Sequence, residues 1–474
     1  MDTLALLGGT RAVPRTLRIA PWPVVAEQDE AAVLRVLARG RFTAASAGEP
    51  EIEGLEREWA QRVGVRRAVA VSNGTAAITL ALAALGVGPG DEVVLPALSF
   101  IGSALAPLHL LAVPVFADVD PRTFNLAPDA LEAAITPRTK AIIAVHLHGL
   151  PADLEQITAI ADRHGLPVVE DAAQAHGALY RGRQVGSIGA VGAFSLNVSK
   201  NLATCGEGGL VTTDDERLAV RVTMLRQFGE LLGGTGERSY VSHLPGWNNK
   251  PNAIQAAYTR SRLTGFDKEN DARDENVRHL LGRLAELPGL IVPEVPGDRT
   301  HAWHILRFRV DPAAFGLGDD LAGAVCSALM RALRAEGVPL SRYQVMPLPA
   351  QRVFAERGGY GGYPWKLPGV PHLVYRGEDF PNTLRIIEDS FVIQKAHLHP
   401  DARPLLEAYA DAFEKVWRHR DFIAGHAAAM PYRPPWEHAE EAARREWDVA
   451  FAAAGPGGRE AAAGEAVSAT DGED

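Results

Sequence analysis

Residues 171–209 read DAAQAHGALYRGRQVGSIGAVGAFSLNVSKNLATCGEGG. The short apolar run at 166–169 leads into two carboxylates, Glu170 and Asp171, so a strand over 166–170 ends on acid. Further on, Phe194-Ser195 precedes a single lysine, Lys200, and then Gly206-Glu207-Gly208-Gly209. The glycines permit tight backbone around that lysine. A carboxylate at a strand end, a hydroxyl and a lysine in turn-rich backbone are thereby brought into one stretch.

Towards the N-terminus a strict alternation leads up to it. A strand at 69–71 turns through Ser72-Asn73-Gly74-Thr75 into a helix over 76–85. A strand at 92–95 precedes a helix over 99–111, and a strand at 113–117 precedes a helix near 128–135. A strand at 140–146 and a helix at 153–164 then lead to the strand at 166–170. Short apolar runs alternating with helical patterns predict an α/β fold with a mainly parallel, doubly wound sheet. Ligands of such sheets sit at the carboxyl ends of the strands. Ser72–Thr75, 96–100 and 171–174 all fall there.

Downstream, the pattern predicts a strand at 208–213, a helix at 216–226, a loop-like segment at 229–250 and a helix from 253 to about 263. A long charged helix over 267–284 bridges to a second unit, with a strand at 303–310 and helices at 320–336 and 402–419. Helices at 27–39 and 51–63 precede the alternation. The expected division is an arm at 1–24, a large domain at 25–265, a smaller α+β C-terminal domain at 266–425, and an extension at 426–474, disordered from about 453.

Composition narrows the function class. The chain has 474 residues with a formal net charge of −10, which argues against nucleic acid as a partner. Two cysteines, Cys205 and Cys326, exclude a disulfide scaffold and an all-cysteine metal site, and fit a reducing cytosol. The N-terminus lacks a signal-peptide pattern and no apolar run reaches membrane-spanning length. A cytoplasmic enzyme that engages no membrane is expected. His146, His148 and His176 show no metal-ligand spacing and read as structural, so no metal is expected.

A pyridoxal phosphate site needs a lysine for the Schiff base and an acid for the pyridinium nitrogen. Lys200 has small and apolar neighbours, and desolvation there lowers its pKa and makes it nucleophilic. Asp171 can hold a ring nitrogen protonated; the plainer alternative is a helix cap or salt bridge. Gly74-Thr75, opening a helix, suits a phosphate, but SNGT is equally a good N-cap. Ser195 can donate to a phosphate. Phe100 taken alone reads as core, and Asn248-Asn249 as turn residues.

Together the EDAAQAHGA segment, FS…K…GEGG, the NGTAA turn and GWNN…IQAA resemble the DegT/DnrJ/EryC1/StrS family of fold type I aminotransferases. The resemblance runs from about residue 5 to 417 and implies a seven-stranded-type sheet in the large domain. It implies that Lys200 is the Schiff-base lysine, Asp171 the pyridinium partner and Gln174 the contact to the ring hydroxyl. It further implies that Ala173 packs under the ring and Phe100 stacks over it. Gly74, Thr75 and Ser195 match the phosphate cradle, and Asn248 matches an asparagine that reaches the phosphate from a neighbouring subunit. A homodimer with shared active sites follows. Two departures stand out: Asn249-Lys250-Pro251 replaces the usual arginine-containing segment, and Arg342 to Leu348 replaces a histidine-rich segment that faces substrate in relatives.

The implied reaction moves an amino group from glutamate or glutamine to a ketone on a sugar or cyclitol ring, in amino-sugar or aminoglycoside-like biosynthesis. The opening ALLGGTRAV, the WP after it and 387–393 resemble the subgroup acting on cyclitol ketones and on aminohydroxybenzoate precursors. Nucleotide-linked and free-cyclitol acceptors both stay open. The alternatives are an aminohydroxybenzoate-type synthase or dehydratase on the same fold, or a non-catalytic regulatory relative, which the retained lysine argues against.

Overall fold

The computed structural model describes residues 3–19, 21–43, 49–232 and 238–453. The disorder expected from about 453 falls on 454–474, outside the described residues. In chain order the strands are β1 (Arg67–Val71), β2 (Glu92–Pro96), β3 (Val113–Ala117), β4 (Thr139–Val145) and β5 (Val168–Asp171). A two-residue ladder, β6 (Leu179–Tyr180) and β7 (Arg183–Gln184), precedes β8 (Val191–Ser195) and β9 (Gly209–Thr213). β10 (Glu230–Leu232) and β11 (Arg238–Ser242) form a hairpin, and β12 (Leu290–Ile291), β13 (Ile305–Val310) and β14 (Ser390–Gln394) a small sheet.

Seven strands make the main sheet in the order β1-β9-β8-β5-β4-β2-β3. The pairs from β8 through β3 are parallel, and β9 runs antiparallel to both β8 and β1. The strand side chains divide between two cores. On β4, Ile142 and Ala144 join the face holding Trp59, Ile157 and Ala256, while Ala141, Ile143 and Val145 join the face holding Ile78, Ala104 and Val222. Both sheet faces are therefore covered by helices, which is why these strands read as continuous apolar runs. The α/β, fold type I architecture expected from the sequence is the one observed.

The antiparallel sheet β12-β13-β14 packs with the helices Phe266–Leu284, Ala322–Glu336 and Arg403–Arg418 around a separate core containing Phe308, Leu329, Phe391 and Phe413. Leu4 and Val13 of the N-terminal arm are buried in that same core. Glu336 anchors the arm: its carboxylate accepts the N–H of Ala5 at 2.7 Å and of Ala12 at 2.9 Å, and Lys415 Nζ at 3.0 Å.

Two expectations need correction. The segment 229–250 carries the β10–β11 hairpin, because Glu230 pairs with Ser242 across a polar Gly-rich connection that local composition reads as loop. The helix expected over 99–111 spans only Gly102–Leu108. Residues 99–101 form the strand-end turn, and the positive φ of Leu111 (58°) leaves the helix behind. Beyond 426 the described chain runs through the helices Arg420–Ala429 and Pro435–Ala453, with 430–434 non-helical between them. Among the described residues no helix is long and apolar enough to cross a membrane.

Candidate active site

The site grows from three neighbouring strand ends. Asp171 is the last residue of β5 and Ser195 the last of β8, while the turn after β1 starts the helix Gly74–Ala84. Asn73 caps that helix, its Oδ1 accepting the Ala76 N–H at 2.8 Å. The N-cap reading and an anion-binding helix end are thus compatible: the first-turn N–H groups of Gly74 and Thr75 have no intrahelical carbonyl to meet. Gly74 lies so close to Ser195 that a Cβ there would sit 2.6 Å from Ser195 Cβ and 3.0 Å from its hydroxyl. Gly209 has the same reason for lacking a side chain, since its Cβ would lie 2.4 Å from the Asn73 carbonyl oxygen. Gly209, the last residue of GEGG, is therefore demanded by close approach of β9 to the turn.

Asp171 is buried and held at both oxygens. Ser103 Oγ donates to Oδ2 at 2.6 Å and the Ala173 N–H to Oδ1 at 3.2 Å. Ser103 Oγ lies 2.9 Å from Ser99 Oγ. Gln174 is oriented by the His148 N–H, which donates to its Oε1 at 2.8 Å, so its amide nitrogen faces Tyr343, 3.5 Å from that hydroxyl. Lys200 follows the β8 strand end in a turn, its N–H donating to the Asn197 carbonyl at 2.8 Å. Burial lowers the pKa of its ammonium, against the opposing pull of the Asp171 and Glu207 carboxylates.

Gly74, Thr75, Phe100, Asp171, Ala173, Gln174, Ser195 and Lys200 all line one cavity of about 790 Å³. Asn248 does not. It forms a bridge with Gln227, and its Oδ1 accepts from Lys250 Nζ. His146 lies outside the cavity: its Nδ1 accepts the Ala152 N–H at 3.1 Å and its Nε2 meets Glu170 Oε2 at 3.0 Å. His176 packs with Trp59 and Phe194, and His148 with Phe124 and Tyr343. No group of three or more metal-ligating side chains occurs among the described residues.

The opposite wall comes from the second unit: His304, Ile305, Tyr343 and Gln394, with Trp22 of the arm. Of these Tyr343 and Trp22 lie in segments singled out from sequence. Ser103 was missed as the partner of Asp171, because Ser99 lies in the strand-end turn outside Gly102–Leu108 and no helical spacing links the two hydroxyls. The other wall residues leave no local signal, because chain segments far apart in sequence bring them in.

A model of the DegT/DnrJ/EryC1/StrS aminotransferase family matches residues 23–366. A dTDP-3-amino-3,4,6-trideoxy-alpha-D-glucose transaminase of Streptomyces venezuelae is 38% identical over 363 residues, covering 76% of this chain and 90% of its own. An L-glutamine:2-deoxy-scyllo-inosose aminotransferase of Streptoalloteichus tenebrarius is 40% identical over 366 residues, covering 74% and 83%. The crystal structure of 3-amino-5-hydroxybenzoic acid synthase superposes with a TM-score of 0.72 at 31% identity, covering 85% of this chain and 99% of that one. With its parallel sheet, its lysine and carboxylate at neighbouring strand ends and these relatives, the chain belongs to the DegT/DnrJ/EryC1/StrS aminotransferases, enzymes that in general depend on pyridoxal phosphate.

Proposed function

We propose that this enzyme transfers an amino group from glutamate or glutamine to a ketone on a sugar or cyclitol ring, with pyridoxal phosphate held at Lys200. The observation that carries the reading is the convergence of Lys200, Asp171 and a glycine-opened helix end on one cavity. The residues fit the cofactor. Gly102 leaves room where a Cβ would lie 2.9 Å from Thr75 Oγ1 and 3.2 Å from the Phe100 ring, so hydroxyl, ring and helix end share one cradle. Gly74, Thr75 and Ser195 offer N–H and hydroxyl donors to a phosphate. With the cofactor bound, Phe100 and Ala173 would hold its ring, Gln174 would contact its hydroxyl, and Asp171 would keep its nitrogen protonated.

Bound there, pyridoxal phosphate supplies an electron sink for the pair left when the donor loses its α-proton. Lys200 Nζ is the base that takes this proton; its lowered pKa leaves more of the free amine available near neutrality. On the acceptor side the same Nζ returns a proton to the ring carbon that receives the amine. Asp171, fixed by Ser103 and the Ala173 N–H, keeps its charge aimed at one point throughout.

The same proposal includes a homodimer in which Asn248 serves the neighbouring subunit's site, a cytoplasmic location, and the division into arm, large domain, small domain and extension at 24, 265 and 425. The likeness to 3-amino-5-hydroxybenzoic acid synthase supports a second reading, an aminohydroxybenzoate-type synthase that keeps the lysine.

The test is spectroscopic. Purified protein incubated with pyridoxal phosphate and desalted is expected to retain visible cofactor absorbance, and Lys200→Ala to lose it. Bleaching by glutamine or glutamate, followed by recovery with a panel of free and nucleotide-linked ring ketones, identifies donor and acceptor. A Lys200→Ala protein with unchanged spectrum and activity refutes the reading.

A further inference from the structure

Arg307 is a buried cation in the middle of β13, about 1% exposed. Burial pulls its pKa down to about 10, which still leaves it charged at neutral pH. A buried guanidinium is costly unless well paired. Here the nearby carboxylate, Asp389, is engaged by Arg309 at 2.5–3.2 Å. The hydrogen bonds Arg307 makes go to neutral oxygens. Nη2 donates to the Tyr343 carbonyl at 2.6 Å and to Gln344 Oε1 at 2.8 Å, and Nη1 to Ser390 Oγ at 3.3 Å.

Those bonds pin one loop. Its start, Ser341, pairs with Val392 of β14 through two backbone hydrogen bonds of 3.1 and 2.8 Å. Its end reaches the main sheet, where the Leu348 N–H donates to the Ala97 carbonyl at 2.9 Å. Between these anchors Gln344 takes a left-handed conformation, φ 59°, which disfavours a residue with a Cβ unless its surroundings enforce it. Arg307 grips the carbonyl just before that residue and the residue's own side-chain oxygen. Tyr343, immediately before it, enters the cavity and meets Gln174.

We propose that Arg307 is a positioning residue for the acceptor step: by gripping the Tyr343 carbonyl and Gln344, it holds the Tyr343 hydroxyl between Gln174 and the incoming ring ketone. The inference rests on the aminotransferase reading. Tyr343 and Gln394 present a phenol and a carboxamide, neutral donors and acceptors that match the hydroxyls of a polyol ring. The donor amino acid carries a carboxylate, which such groups serve poorly. Loss of the grip therefore acts on the acceptor and spares the donor.

Three variants test this. Arg307→Met keeps length and removes the fork. Arg307→Lys restores the charge, with a point ammonium in place of the planar fork. Tyr343→Phe leaves the loop and its backbone contacts and removes only the hydroxyl. In Arg307→Met the acceptor KM is expected to rise about tenfold, the loss of one hydrogen bond from the Tyr343 hydroxyl to the acceptor. The donor half-reaction should stay within about twofold of wild type. Backbone amide exchange at 341–348 should accelerate in Arg307→Met and recover in part in Arg307→Lys. Tyr343→Phe should give the same acceptor effect with unchanged exchange. If Arg307→Met does not fold, Tyr343→Phe decides alone. Donor and acceptor steps falling together in Tyr343→Phe, or an unchanged acceptor KM, overturns the proposal. Exchange needs no bound cofactor, so a failure of the aminotransferase reading would leave that result standing and show itself in the Lys200→Ala spectrum.

Discussion

Glu170→Gln exchanges one atom in a residue adjacent to Asp171, and its cost is calculable from the contacts. The Glu170 carboxylate is fully buried and accepts four hydrogen bonds. Oε1 takes the N–H groups of Ile188 at 2.7 Å and Gly189 at 2.6 Å; Oε2 takes the Gly186 N–H at 2.7 Å and His146 Nε2 at 3.0 Å. Since His146 Nδ1 already accepts the Ala152 N–H, its ring proton sits on Nε2 and all four partners are donors. Glutamine has one acceptor oxygen. Whichever way its amide turns, an NH₂ faces two buried donors. Two orphaned donors at about 1–3 kcal/mol each predict a loss of roughly 2–6 kcal/mol. Burial by itself would raise the Glu170 pKa, but the His146 and backbone hydrogen bonds outweigh it and the net direction is down. A carboxylate lowered in the folded state stabilises above its unfolded pKa of about 4.3, and that contribution is lost as pH falls through the folded value. The variant should lack this acid-limb component. Urea denaturation followed by tryptophan fluorescence, at neutral pH and again near pH 4, reads both effects. A loss below about 1 kcal/mol at neutral pH, or an unchanged acid limb, refutes the clamp.

Other outcomes follow from the same geometry. Gly74→Ala drives a methyl to 2.6 Å from Ser195 Cβ; overpacking of about 1–3 kcal/mol should weaken pyridoxal phosphate binding roughly tenfold or more, measured by titrating apoprotein. Ser103→Ala removes the 2.6 Å bond to Asp171 and should slow the donor half-reaction by about tenfold, with melting temperature little changed. His301 is buried and its pKa pushed down to about 3, chiefly by burial, so the unfolded chain binds a proton there before the native state does. Stability should therefore fall as pH drops from about 6.5 towards 3, and His301→Asn, which keeps an acceptor for the Trp303 N–H now bound at 2.8 Å, should flatten that slope in pH-dependent denaturation.

Much of this molecule is legible in its residue order. Parallel strands covered on both faces must be apolar throughout, so β2, β4 and β8 announce themselves, and the turns at their carboxyl ends carry the polar residues that line the cavity. Lys200, Asp171, Ser195 and Gly74 are each readable because backbone geometry at a strand end constrains what surrounds them. The β10–β11 hairpin was not readable, because a polar segment is ordered by cross-strand pairing that local composition does not record. The contacts that aim the site were hidden too. Ser103 reaches Asp171 across 68 positions and Tyr343 reaches Gln174 across 169, and only folding brings such pairs together. The opening stretch, 171–209, by itself determined that a lysine and a carboxylate stand at neighbouring strand ends, since that placement follows from local periodicity. The tertiary structure alone decided what faces them: Gln394 from the second sheet, Tyr343 from the loop anchored to it and Trp22 from the N-terminal arm arrive through long-range packing.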